Sequence, residues 1–181
     1  MSFADFYQLV EARQSCRAYD STREIEQDKL ARIIEAARLA PSACNSQPWH
    51  LITVTDKERR GAVADALTSI GMNKWALQAT AFIVIVQESP NFTARLGGWI
   101  KNKHFPLIDC GIVSSHIKLA ATQEGLGSCI LGWFDEKRMR EILEIPRSKR
   151  VLMVISLGYA ADEHRQHQRK PVEEISSSEK Y

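Results

Sequence analysis

The chain has 181 residues, 44% of them hydrophobic and 25% charged, an ordinary globular composition in a chain long enough to bury about 70% of its unfolded surface as one domain. Basic and acidic residues number 24 and 22, so the net charge of +2 argues against a nucleic-acid or membrane-surface binder, although a local basic cluster still suits a phosphate. The start, MSFADFYQLVEARQS, lacks the basic and apolar regions of a signal peptide, and AFIVIV at 81–86 is too short to span a bilayer. Cys16, Cys44, Cys110 and Cys129 stand alone, without a CxxC pair, and are expected as free thiols in a reducing cytoplasm.

Residues 3–13 carry Phe3, Phe6, Tyr7 and Val10 on one side, the pattern of a short amphipathic helix. It runs into ARQSCRAYD, where Arg13, Ser15 and Arg17 alternate. In an extended segment they share one face and suit a phosphate or another anion; a solvated turn that ends the helix fits the same spacing. Residues 28–39 place Leu30, Ile33, Ile34, Ala37 and Leu39 near one helical face, and Pro41 biases Ala40 out of the helical region. The loop APSACNSQPWH at 40–50 then enters a β-branched strand at 50–55. Ser42, Asn45, Ser46 and Gln47 offer donors and acceptors with no carboxylate or lysine among them. Such a loop suits the edge of a neutral planar ligand, or it is an ordinary polar loop closed by Pro48 and Trp49.

Residues 56–69 are expected to be helical behind Asp56 as N-cap, and 81–87 to form a buried strand. In 88–106, ESPNFTARLGGWIKNKHFP, the proline, asparagines and Gly-Gly pair predict a mobile loop or lid. Its Phe92, Trp99 and Phe105 serve local packing or substrate contact. Residues 107–124 are the longest helix candidate, with small and apolar residues around most of its circumference, as in a buried central or interface helix. Asp109 is expected as its N-terminal cap rather than as a catalytic acid. A strand at 128–131, a short helix at 135–143 and a buried strand at 151–158 follow, before a charged tail carrying Arg165, Arg169 and Lys170. The order is that of an α/β or α+β domain around one sheet, and alternation alone favours parallel strands.

No GxGxxG follows a strand, and neither a Walker A motif nor GxSxG occurs. His164 and His167 are three apart without a matching Asp, Glu or Cys cluster, and His50, His104 and His116 are isolated, so no metal site is expected. With no cysteine–histidine pair in view, each thiol is assigned a buried or structural role. Chemistry would then come from a bound cofactor that the protein orients.

Four pieces, ARQSCR at 12–17, APSACNSQPW at 40–49, DCGIVSSHIKLAATQEGLGSCILG at 109–132 and RKPVEEI at 169–175, together resemble the FMN-dependent nitroreductase family of the short, single-domain type. The resemblance implies an α+β fold, a mixed sheet flanked by helices, in an intertwined homodimer with FMN at the interface. Residues 1–175 would form one FMN-binding domain, with 88–106 as its lid and 176–181 as a polar tail. Arg13 and Ser15 match the family's grip on the FMN phosphate, and Arg17 the basic residue beside the pyrimidine edge. Pro41, Ser42, Ala43 and Asn45 match the loop that reaches the flavin from the partner subunit, and Asn73 lies near the ring-contacting asparagine. Cys129, Ile130, Leu131 and Gly132 match the strand end under the ring, where a backbone N–H of Leu131 or Gly132 faces flavin N5. Arg169 or Lys170 matches a second phosphate contact. Three departures stand out. Gln14 occupies a position where many relatives carry arginine or histidine, leaving the phosphate grip one contact poorer. Leu131 replaces an acidic residue of some relatives, and SSSEKY is unlike a packed arm.

The resemblance implies a cytoplasmic oxidoreductase in which NADH or NADPH reduces the flavin and a nitroaromatic, quinone or similar small acceptor reoxidises it by a ping-pong mechanism. The alternatives are a flavin reductase or a reductive dehalogenase-like relative and, from another class, a flavin-binding protein without turnover.

Overall fold

A computed structural model describes residues 2–69, 71–162 and 168–181. Four strands, β1 (Trp49–Val54), β2 (Ala81–Gln87), β3 (Gly127–Leu131) and β4 (Arg150–Gly158), form one sheet in the order β1-β2-β4-β3. Every neighbouring pair is antiparallel, with Leu51 opposite Ile85, Val84 opposite Val154 and Cys129 opposite Ser156. The α+β class therefore holds, while the parallel order suggested by alternation does not. Among the described residues parallel pairing enters only as an isolated bridge between Ser15 and Ser128.

Helices cover both faces. Phe82, Val84 and Val86 of β2 point into a core shared with Val63 and Leu67 of α3 (Lys57–Thr68) and Met139 of α6 (Glu136–Ile142). Ala81, Ile83 and Ile85 point the other way, onto Leu30, Ile33 and Ala37 of α2 (Gln27–Arg38) and Cys110, Val113 and Ile117 of α5 (Phe105–Gln123). This is why β2 is an unbroken apolar run: period-two alternation vanishes where both faces of a strand are buried. Asp56 caps α3 as expected, its carboxylate accepting the Arg59 N–H at 3.0 Å.

Segment 88–106 differs from its expectation. It contains helix α4 (Phe92–Lys101), capped by Asn91, whose Oδ1 accepts the Ala94 N–H at 2.9 Å. Asn102 closes it in the left-handed region, and the Lys103 N–H donates back to the Gly98 carbonyl at 2.9 Å. Gly98 is used for proximity: a Cβ there would sit 2.7 Å from the Lys103 carbonyl oxygen. The Gly-Gly pair thus permits the helix to close tightly instead of breaking it.

Helix α1 (Phe3–Ala12) buries none of its residues, and Phe3, Phe6, Tyr7 and Val10 are all exposed. After it the chain extends along the outer edge of β3. The Cys16 N–H donates to the Ser128 carbonyl at 3.0 Å, and the Asp20 N–H to the Tyr159 carbonyl at 2.9 Å. Tyr19 is buried between them, its hydroxyl 2.8 Å from Ser156 Oγ. Near the other terminus, α7 (Val172–Ile175) leaves both Val172 and Ile175 exposed. Among the described residues no helix is long and apolar enough to cross a membrane.

Candidate functional site

The site begins where the 13–17 segment meets the edge of β3. β3 is an edge strand, and the Ser15–Ser128 bridge fixes the register of the segment against it. Arg13, Gln14 and Ser15 are half-buried and Arg17 is exposed, so extended backbone presents this polar set outward while Cys16 turns into the core.

A third cation joins them from a different element. Lys118 of α5 is only 6% exposed, and its Nζ lies 3.4 Å from Ser15 Oγ. Burial, and then the Arg13 and Arg17 guanidiniums, push its ammonium below the ordinary lysine range. Among the described residues no carboxylate pairs with Arg13, Arg17 or Lys118. Cys129 belongs to the same field: burial raises its thiol pKa, while Arg17 and Lys118 oppose the rise. The sequence reading missed Lys118. Its signal was a lone lysine among the small and apolar residues of 107–124, with no acid one turn away to explain it.

The far end of β3 gathers a second set. Leu131 is buried, Ile130 and Gly132 are exposed, and Asn73 reaches the same corner, its Nδ2 donating to the Trp133 carbonyl at 3.1 Å and the Leu67 carbonyl at 3.3 Å. Asn73 itself is left-handed, with φ 56°.

The 40–50 loop contains a 3-10 turn at Ala43–Asn45. Cys44, Asn45 and Gln47 all have positive φ, at 51°, 50° and 46°, a concentration of left-handed residues typical of functional loops. Hydrogen bonds hold this shape. Ser42 Oγ accepts the Gln47 N–H at 2.8 Å, and Gln47 Nε2 donates to Asn45 Oδ1 at 3.0 Å. Asn91, the cap of α4, donates through its N–H to Ser46 Oγ at 2.8 Å and through its amide to the Cys44 carbonyl at 3.0 Å.

Asp109 is the fifth residue of α5, not its cap, because the helix starts earlier, at Phe105, with Pro106 in its first turn. The carboxylate is 3% exposed; Oδ1 accepts the Ala43 N–H at 3.1 Å and Oδ2 has no partner. It fastens the loop to α5. Cys44 likewise departs from its expectation: it is exposed, while Cys16, Cys110 and Cys129 are buried and all four are free. A strained loop leaves its side chain no core to enter.

The structure thus joins Arg13, Ser15 and Arg17 to the start of β3, and Asn73 to its end. The Pro41–Asn45 loop is pinned separately, on α4 and α5. Lys170 is 72% exposed and pairs with Glu174 at 3.8 Å, and Arg169 donates to the Gln168 carbonyl at 2.7 Å. Lys170 does not join the Arg13 cluster. Trp99 and Phe92 are exposed at 82% and 70% rather than packed. A cleft of about 640 Å³ beside α4, lined by residues such as Gln87, Arg95, Trp99, His104 and Arg150, includes none of the three cations. Among the described residues no group of three His, Cys, Asp or Glu side chains could hold a metal ion, and His164 and His167 lie outside those residues.

An antiparallel sheet between two helical layers, with Arg13, Arg17 and Lys118 gathered at the edge of its last strand in the sheet order, defines an α+β protein with a cationic edge. The model of the nitroreductase family matches residues 10–92 and 71–159, and the chain belongs to the nitroreductase family. An oxygen-insensitive NADPH nitroreductase of Helicobacter pylori is 30% identical over 195 residues, covering 90% of this chain and 91% of that protein. An FMN reductase [NAD(P)H] of Bacillus subtilis is 27% identical over 180 residues, covering 93% and 71%. The structure of an FMN-dependent nitroreductase from Clostridium difficile R20291 superposes with a TM-score of 0.75 at 28% identity, covering 94% of this chain and 97% of that one.

Proposed function

We propose that the protein is an FMN-dependent NAD(P)H oxidoreductase acting on nitroaromatics, quinones or similar acceptors. The observation that carries this is the convergence of Arg13, Arg17 and Lys118 beside Ser15 without a carboxylate partner among the described residues. Arg13, Lys118 and Ser15 fit a phosphate monoester and Arg17 an electron-rich ring beside it, and in a nitroreductase-family chain the phosphate monoester with redox chemistry attached is FMN. When bound, FMN supplies the redox step, taking a hydride equivalent from NADH or NADPH and passing it to the acceptor.

The chain's own residues bind and orient. Arg13, Ser15 and Gln14 face the phosphate, and Arg17 the pyrimidine edge. Asn73, the Cys129–Gly132 strand end and a backbone N–H of Leu131 or Gly132 line the ring. Pro41, Ser42, Ala43 and Asn45 reach the flavin of a second subunit, and Arg169 or Lys170 adds a phosphate contact from the arm. The exposure of Pro41, Asn45, Arg169 and Lys170 in the single chain, together with the uncovered apolar face of α1, supports a homodimer. The four free thiols fit a reducing cytoplasm. Segment 88–106, with its exposed aromatics on α4, serves as the lid over donor and acceptor. Asp109 is engaged by the Ala43 N–H and is not set to move a proton. Positioning dominates such a site, and donor and acceptor use one face in turn, which gives ping-pong kinetics.

The test is the spectrum and turnover of the purified full chain. A yellow protein whose released flavin is FMN, with NAD(P)H oxidation dependent on an added acceptor and parallel double-reciprocal lines, is expected. A protein that takes up no FMN refutes the reading. A flavin reductase is the second reading, favoured by the likeness to the Bacillus subtilis FMN reductase, and free FMN as the preferred acceptor would select it.

A further inference from the structure

Lys118 has no structural reason to be where it is. A lysine with 6% exposure ordinarily pairs with a carboxylate, because a buried ammonium without a counter-charge is costly. Among the described residues its one hydrogen-bond partner is the Ser15 hydroxyl at 3.4 Å, a long contact that leaves two of three donors unused. The charges nearest to it, Arg13 and Arg17, are of its own sign. The Ser128 hydroxyl, across the bridge from Ser15, belongs to a residue 1% exposed and lacks a partner among the described residues. Three cations, the Ser15 hydroxyl and the unpartnered Ser128 hydroxyl form a set whose chemistry suits an anion.

We infer that Lys118 is a further binding residue for the phosphate of the flavin, reaching it through the floor of the site from α5 and supplying the charge that Gln14 does not. This rests on the FMN reading above. The geometry explains why the contact comes from so far away in sequence. Gln14 and Ser15 approach the anion from the 13–17 segment, while α5 passes beneath that segment and brings Lys118 to Ser15 across 103 positions. An ammonium that is buried beforehand has already lost its water, so its attraction for a phosphate is weakly screened by salt.

The test compares wild type with Lys118→Met, which keeps the length and apolar stem of the side chain and deletes the charge. Full-length protein freed of flavin is titrated with FMN and with riboflavin, which lacks the phosphate. Wild type should prefer FMN. The variant should lose ten- to a hundredfold in FMN affinity and stay within threefold for riboflavin. In a second measurement, inorganic phosphate should raise the melting temperature of flavin-free wild type above that in sodium chloride of equal ionic strength. It should not do so for the variant, which in chloride should melt at or above wild type because an unpaired buried cation is gone. Equal losses for FMN and riboflavin, unchanged FMN affinity, or equal protection of both proteins by phosphate would overturn the inference. A variant that folds poorly would do so too, since it would make Lys118 a structural partner. If wild type binds neither flavin, the FMN reading fails; phosphate protection of wild type alone would still identify Lys118 as a phosphate ligand.

Discussion

Gly127→Ala probes the joint between the 13–17 segment and the sheet. A Cβ at 127 would lie 2.6 Å from Cys16 Sγ and 2.8 Å from Cys16 Cβ. Ordinary contact begins near 3.4 Å, so Cys16 must withdraw by about 0.8 Å at sulfur (3.4 − 2.6) and about 0.6 Å at Cβ (3.4 − 2.8). It cannot do so freely. Its N–H is tied to the Ser128 carbonyl at 3.0 Å, its thiol donates to the Ala18 carbonyl at 3.1 Å, and its own carbonyl accepts the Tyr19 hydroxyl at 3.1 Å. Overpacking of this kind costs roughly 1–3 kcal/mol. For a chain of this size that lowers the melting temperature by about 2–12 °C. Ser15 and Arg17 flank Cys16 and must move with it, so FMN affinity should fall by about tenfold or more as charge-assisted contacts are misaligned. Thermal melts followed by circular dichroism and an FMN titration measure both effects. Cys16→Gly removes both clashing atoms, so in a double-mutant cycle the pair should be more stable than the sum of the single changes. A Gly127→Ala protein that melts with wild type and binds FMN equally well would refute the claim that this contact holds the site in register.

Arg13→Ala should weaken FMN binding by one to two decades, about 1.5–3 kcal/mol, with little change in melting temperature; unchanged titration curves would remove Arg13 from the site. Cys110 gives a pH dependence. Burial, with the Asp109 carboxylate adding, pushes its thiol from 9.0 up to about 11, so the folded chain holds a proton that the unfolded chain releases. Its contribution is complete below pH 9 and is lost as pH rises towards 11, about 2–3 kcal/mol in all, so the stability advantage of wild type over Cys110→Ala should shrink across that window in denaturant titrations. Asp109→Asn and His50→Ala, once loaded with flavin, should keep flavin reduction within about tenfold in stopped flow; a thousandfold loss would reveal a proton donor. Sedimentation should find a dimer, and a monomer that retains FMN would exclude a shared site.

Much of the architecture was legible locally. The helix at 27–38, the Asp56 cap, the buried strand at 81–87 and the small residues of 105–123 are written in neighbours within a turn or two of one another. The alternation of Arg13, Ser15 and Arg17 also lies within five residues, so their common face followed from extended backbone alone. Helix α4 was obscured because its Gly-Gly pair signals a break unless the nearby Lys103 carbonyl is known, although Asn91 and Asn102 marked both of its ends. Asp109 has the residue type of a cap, and only the earlier start of α5 turns it into the anchor of the Ala43 N–H, 66 positions away. Strand order and direction were decided by tertiary pairing, because a strand's own sequence carries its faces but not its neighbours. The same limit hid Lys118. Its isolation in an apolar helix was visible, but what it meets was set by the crossing of α5 beneath residue 15, where packing of the whole domain, not local preference, brings like charges to one edge of the sheet.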